Sequence, residues 1–231
     1  MRHALITGAG RGIGRHTALA LARESAWRLA LVARSAQELE HVAVEVQRAG
    51  SHAHVLTADL TAADQPDAVA AAALECLDGR LDLLVNNAGS FDVRDLEQLD
   101  RPFWDRMLAL NLTVPAFLAK ACLGSLEVAA AAGGSPAIVQ VASIAAEQGF
   151  EGNAAYCSSK YGLRGLSDAL RAELAPRGIS VRTVYPKATD TEIFDDVQGD
   201  WDRSTMDAPE DVAELIRQAA EPDAPDELRM Y

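Results

Sequence analysis

Short runs of apolar residues alternate along the chain with longer stretches whose apolar positions recur every three or four residues. "HALIT" (3–7), "RLALVAR" (28–34), "HAHVLTADL" (52–60), "LDLLVNNAG" (81–89), "AIVQVAS" (137–143) and "ISVRTVYP" (179–186) read as strands. Their apolar positions are nearly continuous, as expected of strands covered on both faces. Helical patterns lie between them: about 13–25, "AQELEHVAVEVQRAG" (36–50) closed by Gly50, and "QPDAVAAAALECLDG" (65–79), where Pro66 sits in a tolerant first turn. Long helical patterns near 101–130 and 154–177 precede the fifth and sixth strands, and "ELRMY" (227–231) reads as a short last strand. The alternation predicts an α/β fold: one domain over 1–231, built on a doubly wound parallel sheet of about seven strands with helices on both faces. No repeat or interdomain linker interrupts it. The one long irregular, charge-rich stretch is 187–208, which is expected to form a lid.

Composition changes this picture little. The chain has 231 residues, 49% of them hydrophobic and 24% charged, with 21 Lys and Arg against 34 Asp and Glu, a net charge of −13. So acidic a chain is a poor partner for nucleic acid, whose backbone demands clustered cations. Cys76, Cys122 and Cys157 are widely spaced and odd in number, which suits neither a disulfide framework nor a metal site. The start, "MRHALITGAG", runs into a strand with no signal-peptide pattern, and no apolar run reaches the roughly 18 residues of a membrane span, so a cytoplasmic protein without membrane association is expected.

Chemistry gathers at the strand ends. "TGAGRGIG" (7–14) follows a strand and opens a helix, yet it does not fit G-x-G-x-x-G, because residue 13 is Ile. It fits T-G-x-x-x-G-x-G through Thr7, Gly8, Gly12 and Gly14, which leaves Gly10 dispensable. A helix amino terminus offers free N–H groups and a positive dipole end to a pyrophosphate, and glycines let the backbone come close to it. "NNAG" (86–89) ends the fourth strand, Asn111 lies in the following helical pattern, and Ser143 ends the fifth strand. "YCSSK" sets Tyr156 and Lys160 at i and i+4, on one helix face.

Together and in this order, these stretches resemble the short-chain dehydrogenase/reductase family in its short single-domain branch, over residues 7–186. The resemblance implies a Rossmann-type domain that binds NAD(P)(H). It also implies that Tyr156 is the general acid/base, that Lys160 lowers the phenol's pKa and holds the nicotinamide ribose, and that Ser143 hydrogen-bonds the substrate oxygen. Asn111 would anchor a water for proton relay. Asn86 and its neighbours would brace the sheet beside the cofactor, with Asn87, Ala88 and Gly89 adjacent to it and not catalytic, while Asp59 and Leu60 would meet the adenine. Asp59 also suits a helix N-cap.

An NAD-binding member carries an acidic residue near the end of the second strand. Here Ala33, Arg34 and Ser35 stand there, and Arg11 lies inside the glycine loop. Two guanidiniums with no opposing carboxylate suit a 2′-phosphate, so NADP(H) is expected. After the sixth strand the family reads Pro-Gly and then Thr. This chain reads "PKATDT": Pro186, Thr189 and Thr191 match, with Thr189 against the nicotinamide carboxamide, but Lys187 replaces the glycine. The segment "APEDVAELI" (208–216) resembles the sepiapterin-reductase-like and small carbonyl-reductase branches. The expected function is reduction of a small ketone or aldehyde by a homodimer or homotetramer. Reduction of 3-oxoacyl-carrier-protein, served by a basic patch of Arg164, Arg171 and Arg177, is the alternative within the family. A non-catalytic NADPH sensor is the alternative outside enzymes.

Overall fold

The computed structural model describes residues 1–24, 27–62, 64–195 and 197–230. Ser25, Asp196 and Tyr231, which fall in the first expected helix, the expected lid and the last expected strand, lie outside the described residues. The strands are β1 (Arg2–Thr7), β2 (Trp27–Ala33), β3 (His52–Thr57), β4 (Leu83–Asn86), β5 (Ala137–Val141), β6 (Ser180–Tyr185) and β7 (Glu227–Arg229). They pair in parallel throughout, in the order β3-β2-β1-β4-β5-β6-β7. The chain builds outward from β1 to β3 and then returns to place β4 on the other side of β1. The carboxyl ends of β1 and β4 therefore part at a topological switch point, where open α/β sheets bind ligands.

Among the described residues seven α-helices cover the sheet: α1 (Gly12–Ala22), α2 (Ala36–Arg48), α3 (Gln65–Cys76), α4 (Arg101–Leu108), α5 (Val114–Ala131), α6 (Ala154–Leu174) and α7 (Pro209–Ala219). Successive strand residues face opposite sides. Ile6, Leu29 and Leu31 pack with Leu21 of α1, Val42 and Val46 of α2, and Ile216 of α7. Leu5, Ala30 and Val32 pack with Val69 of α3, Leu118 and Leu126 of α5, and Leu174 of α6. Each fully buried leucine contributes about 1.5–3 kcal/mol of apolar transfer, and the two layers leave the strand ends as the free rim of the sheet.

Several strands stop short of the expected boundary. β2 ends before Arg34, β3 before Asp59 and β4 before Asn87, because these polar residues turn away from the ladder at that rim. α3 stops at Cys76 and gives way to a turn in which Asp78 and Gly79 both have positive φ. Two features depart further from expectation. The helix over 101–131 is not uniform: α4 and α5 are joined by a π turn, Ala109–Thr113. That continuous helix, Arg101–Ala131, is also long and apolar enough to cross a membrane by length and composition, contrary to expectation. Alanines and scattered polar residues hide this in a search for unbroken apolar runs, and in the fold Leu118, Cys122 and Leu126 lie buried against the sheet.

Candidate active site

A cavity of about 900 Å³ lies along the carboxyl ends of the strands, and nearly all the chemistry-bearing residues meet there. Its floor is the loop between β1 and α1, lined by Gly8, Gly10, Arg11, Gly12 and Ile13. Gly8 and Gly12 have φ of 65° and 50°, a region L side chains rarely adopt. Gly14 does not line the cavity; a Cβ there would run into the carbonyl oxygen of Gly8. Gly10 has ordinary backbone geometry, and a Cβ on it would meet only side chains, those of Glu38 and Ala33. Arg11 stands at the N-cap of α1 without a side-chain cap, so the first N–H groups of the helix are not taken up by a capping side chain.

The loop is tied to β4 by Thr7 and Asn87. The Thr7 hydroxyl donates to the Val85 carbonyl (3.2 Å) and accepts from the N–H groups of Asn87 and Ala88 (both 3.0 Å). Asn87 Nδ2 returns a bond to the Thr7 carbonyl (2.9 Å). Within the stretch expected to brace the sheet, Asn87 and the Ala88 N–H make these bonds. Asn86 instead points into the helix layer, where its Nδ2 donates to the Pro115 carbonyl at 3.4 Å. Asn87, Ala88 and Gly89 line the cavity.

Ser143, Tyr156 and Lys160 line one wall. Ser143 leaves β5 in extended conformation and accepts from the N–H of Ala145 (3.1 Å), while its hydroxyl also hydrogen-bonds the Tyr156 phenol. Ile144 N–H donates to the Pro186 carbonyl (2.9 Å), locking this loop to the end of β6. Tyr156 sits in the first turn of α6, and burial pushes its phenol up to about 12, with a hydrogen bond to Ser143 pulling the other way. Lys160 Nζ donates to the Val141 carbonyl (2.9 Å) and lies 5.7 Å from the Tyr156 ring centroid. Burial brings this amine down to about 8. The expected lowering of the tyrosine pKa by the lysine is therefore not seen in the protein alone. Burial is the largest cause acting on the phenol, and the lysine amine bonds a backbone carbonyl instead of the phenol oxygen. Between the pair, Cys157 is buried and Ser158 exposed.

Asn111 lies at the centre of the π turn, 1% exposed. Its Nδ2 donates to the Ser90 carbonyl (2.9 Å) and approaches Ser159 Oγ (3.1 Å), while its Oδ1 accepts from the N–H of Ser90 (2.8 Å). The extra residue of a π turn re-aims a side chain inward, a device frequent at functional sites. Gly89 keeps the gap between Asn111 and Lys160 open: a Cβ there would lie 3.2 Å from Asn111 Oδ1 and 3.8 Å from Lys160 Nζ.

At the far end, Ala33, Arg34, Ser35, Asp59 and Leu60 line the cavity. Asp59 Oδ1 accepts from the N–H (3.0 Å) and hydroxyl (2.7 Å) of Thr61, bonds that lower its pKa. It caps its own turn, while Asp64 occupies the N-cap position of α3. The expectation that no carboxylate stands near the two arginines needs correction. Glu38 reaches the same wall, its Oε2 lying 2.8 Å from where a Cβ on Gly10 would be. Ser35 caps α2 by accepting from Glu38 N–H (3.3 Å). Ser35 and Glu38, three apart, form the sequence signature of a helix start, and that spacing carried the missed signal.

The lid is a loop with a closed base. Thr189 bridges Asp207, through Asp190 N–H to the Asp207 carbonyl and Asp207 N–H to the Ala188 carbonyl, both 2.9 Å. Pro186, Thr189 and Thr191 line the cavity, and the Thr191 side chain lies over Gly12. Lys187 also lines it, exposed and with ordinary backbone geometry, since Asp78 alone among described non-glycine residues has positive φ. The lid carries two rings that no pattern along the chain singles out, Phe194 and Trp201. Both contact Phe91, with centroids at 5.4 and 5.6 Å, and Phe91 meets the Tyr156 ring edge-on at 4.9 Å. Arg164, Arg171 and Arg177, expected as a basic patch, are paired with acids: Arg164 with Glu147 and Glu227, Arg171 with Asp168 and Asp226, Arg177 with Glu127. Among the described residues no cluster of His, Cys, Asp and Glu is arranged to hold a metal ion.

The profile of a family described as short chain dehydrogenase matches residues 2–201. The chain is 32% identical to a sepiapterin reductase of Chlorobaculum tepidum over 95% of its own length and 90% of that protein's. It is similar to an alcohol dehydrogenase of the archaeon Thermococcus sibiricus solved with 5-hydroxy-NADP: TM-score 0.89, 29% identity, covering 100% of this chain and 96% of that one. It is similar as well to a 3-ketoacyl-(acyl-carrier-protein) reductase of Brucella melitensis solved with NADH: TM-score 0.88, 26% identity, covering 99% and 96%.

Proposed function

The chain belongs to the short-chain dehydrogenase/reductase family, and from that premise we propose that it is an NADPH-dependent reductase of a small ketone or aldehyde. The observation that carries the reading is the convergence of Ser143, Tyr156 and Lys160 on one wall of the cavity that the glycine loop floors. The loop suits a dinucleotide. The positive φ of Gly8 and Gly12 and the uncapped start of α1 make a cradle in which a Cβ would intrude and N–H groups await an anion. Gly8, Gly10, Arg11, Gly12 and Ile13 would hold the pyrophosphate. Asp59 and Leu60 would meet the adenine, Asn87 to Gly89 would lie beside the cofactor, and Pro186, Thr189 and Thr191 would flank the nicotinamide. The bound dinucleotide supplies the hydride.

The chain's own residues hold and move the proton. With its phenol raised to about 12, Tyr156 is protonated at neutral pH and is ready to donate to a carbonyl oxygen. Ser143, hydrogen-bonded to that phenol, can turn its hydroxyl to the charge that grows on the substrate oxygen. Lys160 holds the ribose and faces the tyrosine ring at 5.7 Å, where its charge favours the phenolate once the proton has been given up. Asn111, in the re-aimed π turn, holds the proton path open past Gly89.

Arg11 and Arg34 support NADPH, while Glu38 works against a 2′-phosphate at the same wall. In steady-state assays Tyr156→Phe binds NADPH normally and loses at least about a thousandfold in kcat. The NADPH-to-NADH ratio of kcat/KM falls in Arg34→Asp and rises about threefold in Glu38→Gln. A wild type that oxidises neither cofactor with any ketone or aldehyde of a broad panel sinks the reductase reading in favour of a sensor. The paired state of Arg164, Arg171 and Arg177 leaves no free patch there for an acidic carrier protein.

A further inference from the structure

The substrate end of the cavity is walled by rings. Phe91 follows Ser90, whose backbone is clamped by Asn111 on both its N–H and its carbonyl. Phe91 is therefore fixed from below, with its ring edge-on to Tyr156 at 4.9 Å and an interplanar angle of 77°. From above come Phe194 and Trp201, themselves 5.1 Å apart. They behave as one unit: Val197 N–H donates to the Phe194 carbonyl (3.3 Å), and Trp201 Nε1 donates to the Val197 carbonyl (3.2 Å). Val197 is buried beneath them. The neck formed by Ala188, Thr189, Asp190 and Asp207 ties both ends of this unit to the body.

The charged groups at this end leave the ring surfaces clear. Arg106 and Lys187 are exposed at the rim, and Asp92 is spent on the N–H of Val93 and the guanidinium of Arg94. In this arrangement the lid rings rest on Phe91, Phe91 rests on the tyrosine ring, and all four rings line the cavity. A substrate group that takes the lid's place on Phe91 must supply something in exchange for those contacts.

The geometry points to a neutral carbonyl compound bearing an aromatic ring next to the C=O, whose ring replaces the lid's contact on Phe91 and is then covered by Phe194 and Trp201. An aromatic substrate returns the edge and face contacts that opening the lid costs, whereas a saturated ring of the same size returns area alone. This rests on the reductase reading of the site, because the clamp places its ring beside Tyr156.

Acetophenone and its ring-saturated counterpart, cyclohexyl methyl ketone, form the matched pair for the test. With NADPH, the wild type is expected to show about tenfold higher kcat/KM for acetophenone, the scale of one well-placed aromatic pair. Phe91→Leu and Trp201→Leu are each expected to reduce that ratio to below about threefold. A wild-type ratio near one, or a ratio that survives both substitutions, overturns the clamp while leaving the reductase reading intact. Where neither ketone is turned over, binding decides: quenching of the fluorescence that Trp201→Leu removes should saturate at lower acetophenone than cyclohexyl methyl ketone. Equal titrations overturn the clamp. Tighter binding of the aryl ketone without turnover keeps the clamp, and the reductase reading then falls only if the broad panel also fails.

Discussion

Lys160 is buried to 6% exposure with a carbonyl oxygen as its hydrogen-bond partner, and burial brings its pKa from 10.5 to about 8. Unfolding returns the amine to water. Between about pH 8 and 10.5 the unfolded chain therefore holds more protons at this site than the folded one, and stability rises with pH. Below pH 8 both states are charged and the cost of the buried ammonium is fully felt. Tyr156 acts in the opposite sense, but only above pH 10, where its raised pKa begins to matter. In thermal melts of the cofactor-free protein, wild-type Tm should climb relative to Lys160→Met between pH 8 and pH 10. Parallel curves for the two proteins would show that the amine is not desolvated. The Tyr156 and Lys160 pair was legible because i and i+4 fix a shared helix face whatever surrounds them. Their pKa values were not, since those depend on what buries them and on the carbonyl of Val141, a strand residue nineteen positions away.

Among the elements, the strands could be read because near-continuous apolar runs admit few other environments, and their true ends fell short where Arg34, Asp59 and Asn87 turn to the rim. The π turn left no such trace: one extra residue does not disturb the apolar period of the helices on either side, yet it aims Asn111 inward. Where β1 and β4 part, one hydroxyl makes three of the bonds between them. Thr7→Val leaves two backbone N–H groups, those of Asn87 and Ala88, without their acceptor. The expected cost is about 3 kcal/mol, or a fall in Tm of about 6–12 °C for a chain of this size. Thr7→Ser should recover most of it. A Thr7→Val melt within 2 °C of wild type would mean that other groups take up those N–H donors.

At the scale of the molecule, α5 and α6 carry Phe117, Val128 and Tyr161 at 46%, 56% and 45% exposure. These large apolar groups, on the two long helices, fit the expected homo-oligomer. Light scattering should give a multiple of 24.6 kDa for wild type and the single-chain mass for Phe117→Glu/Tyr161→Glu. A single-chain mass for both removes the assembly. The aromatic wall of the cavity was invisible along the sequence, because Phe91 lies about a hundred residues from Phe194 and Trp201, within stretches that show no period. The neck that joins Ala188 and Asp190 to Asp207 has a consequence for how this protein diversifies. The described residues of the segment it closes form no part of the sheet and meet the rest of the cavity through the rings on Phe91 and through Thr191 on the glycine loop. Past Thr191, length and side chains are thus free to change without the strands registering the difference. Transplanting residues 192–206 between relatives should carry ring preference with it while leaving Thr191 and the glycine loop in place.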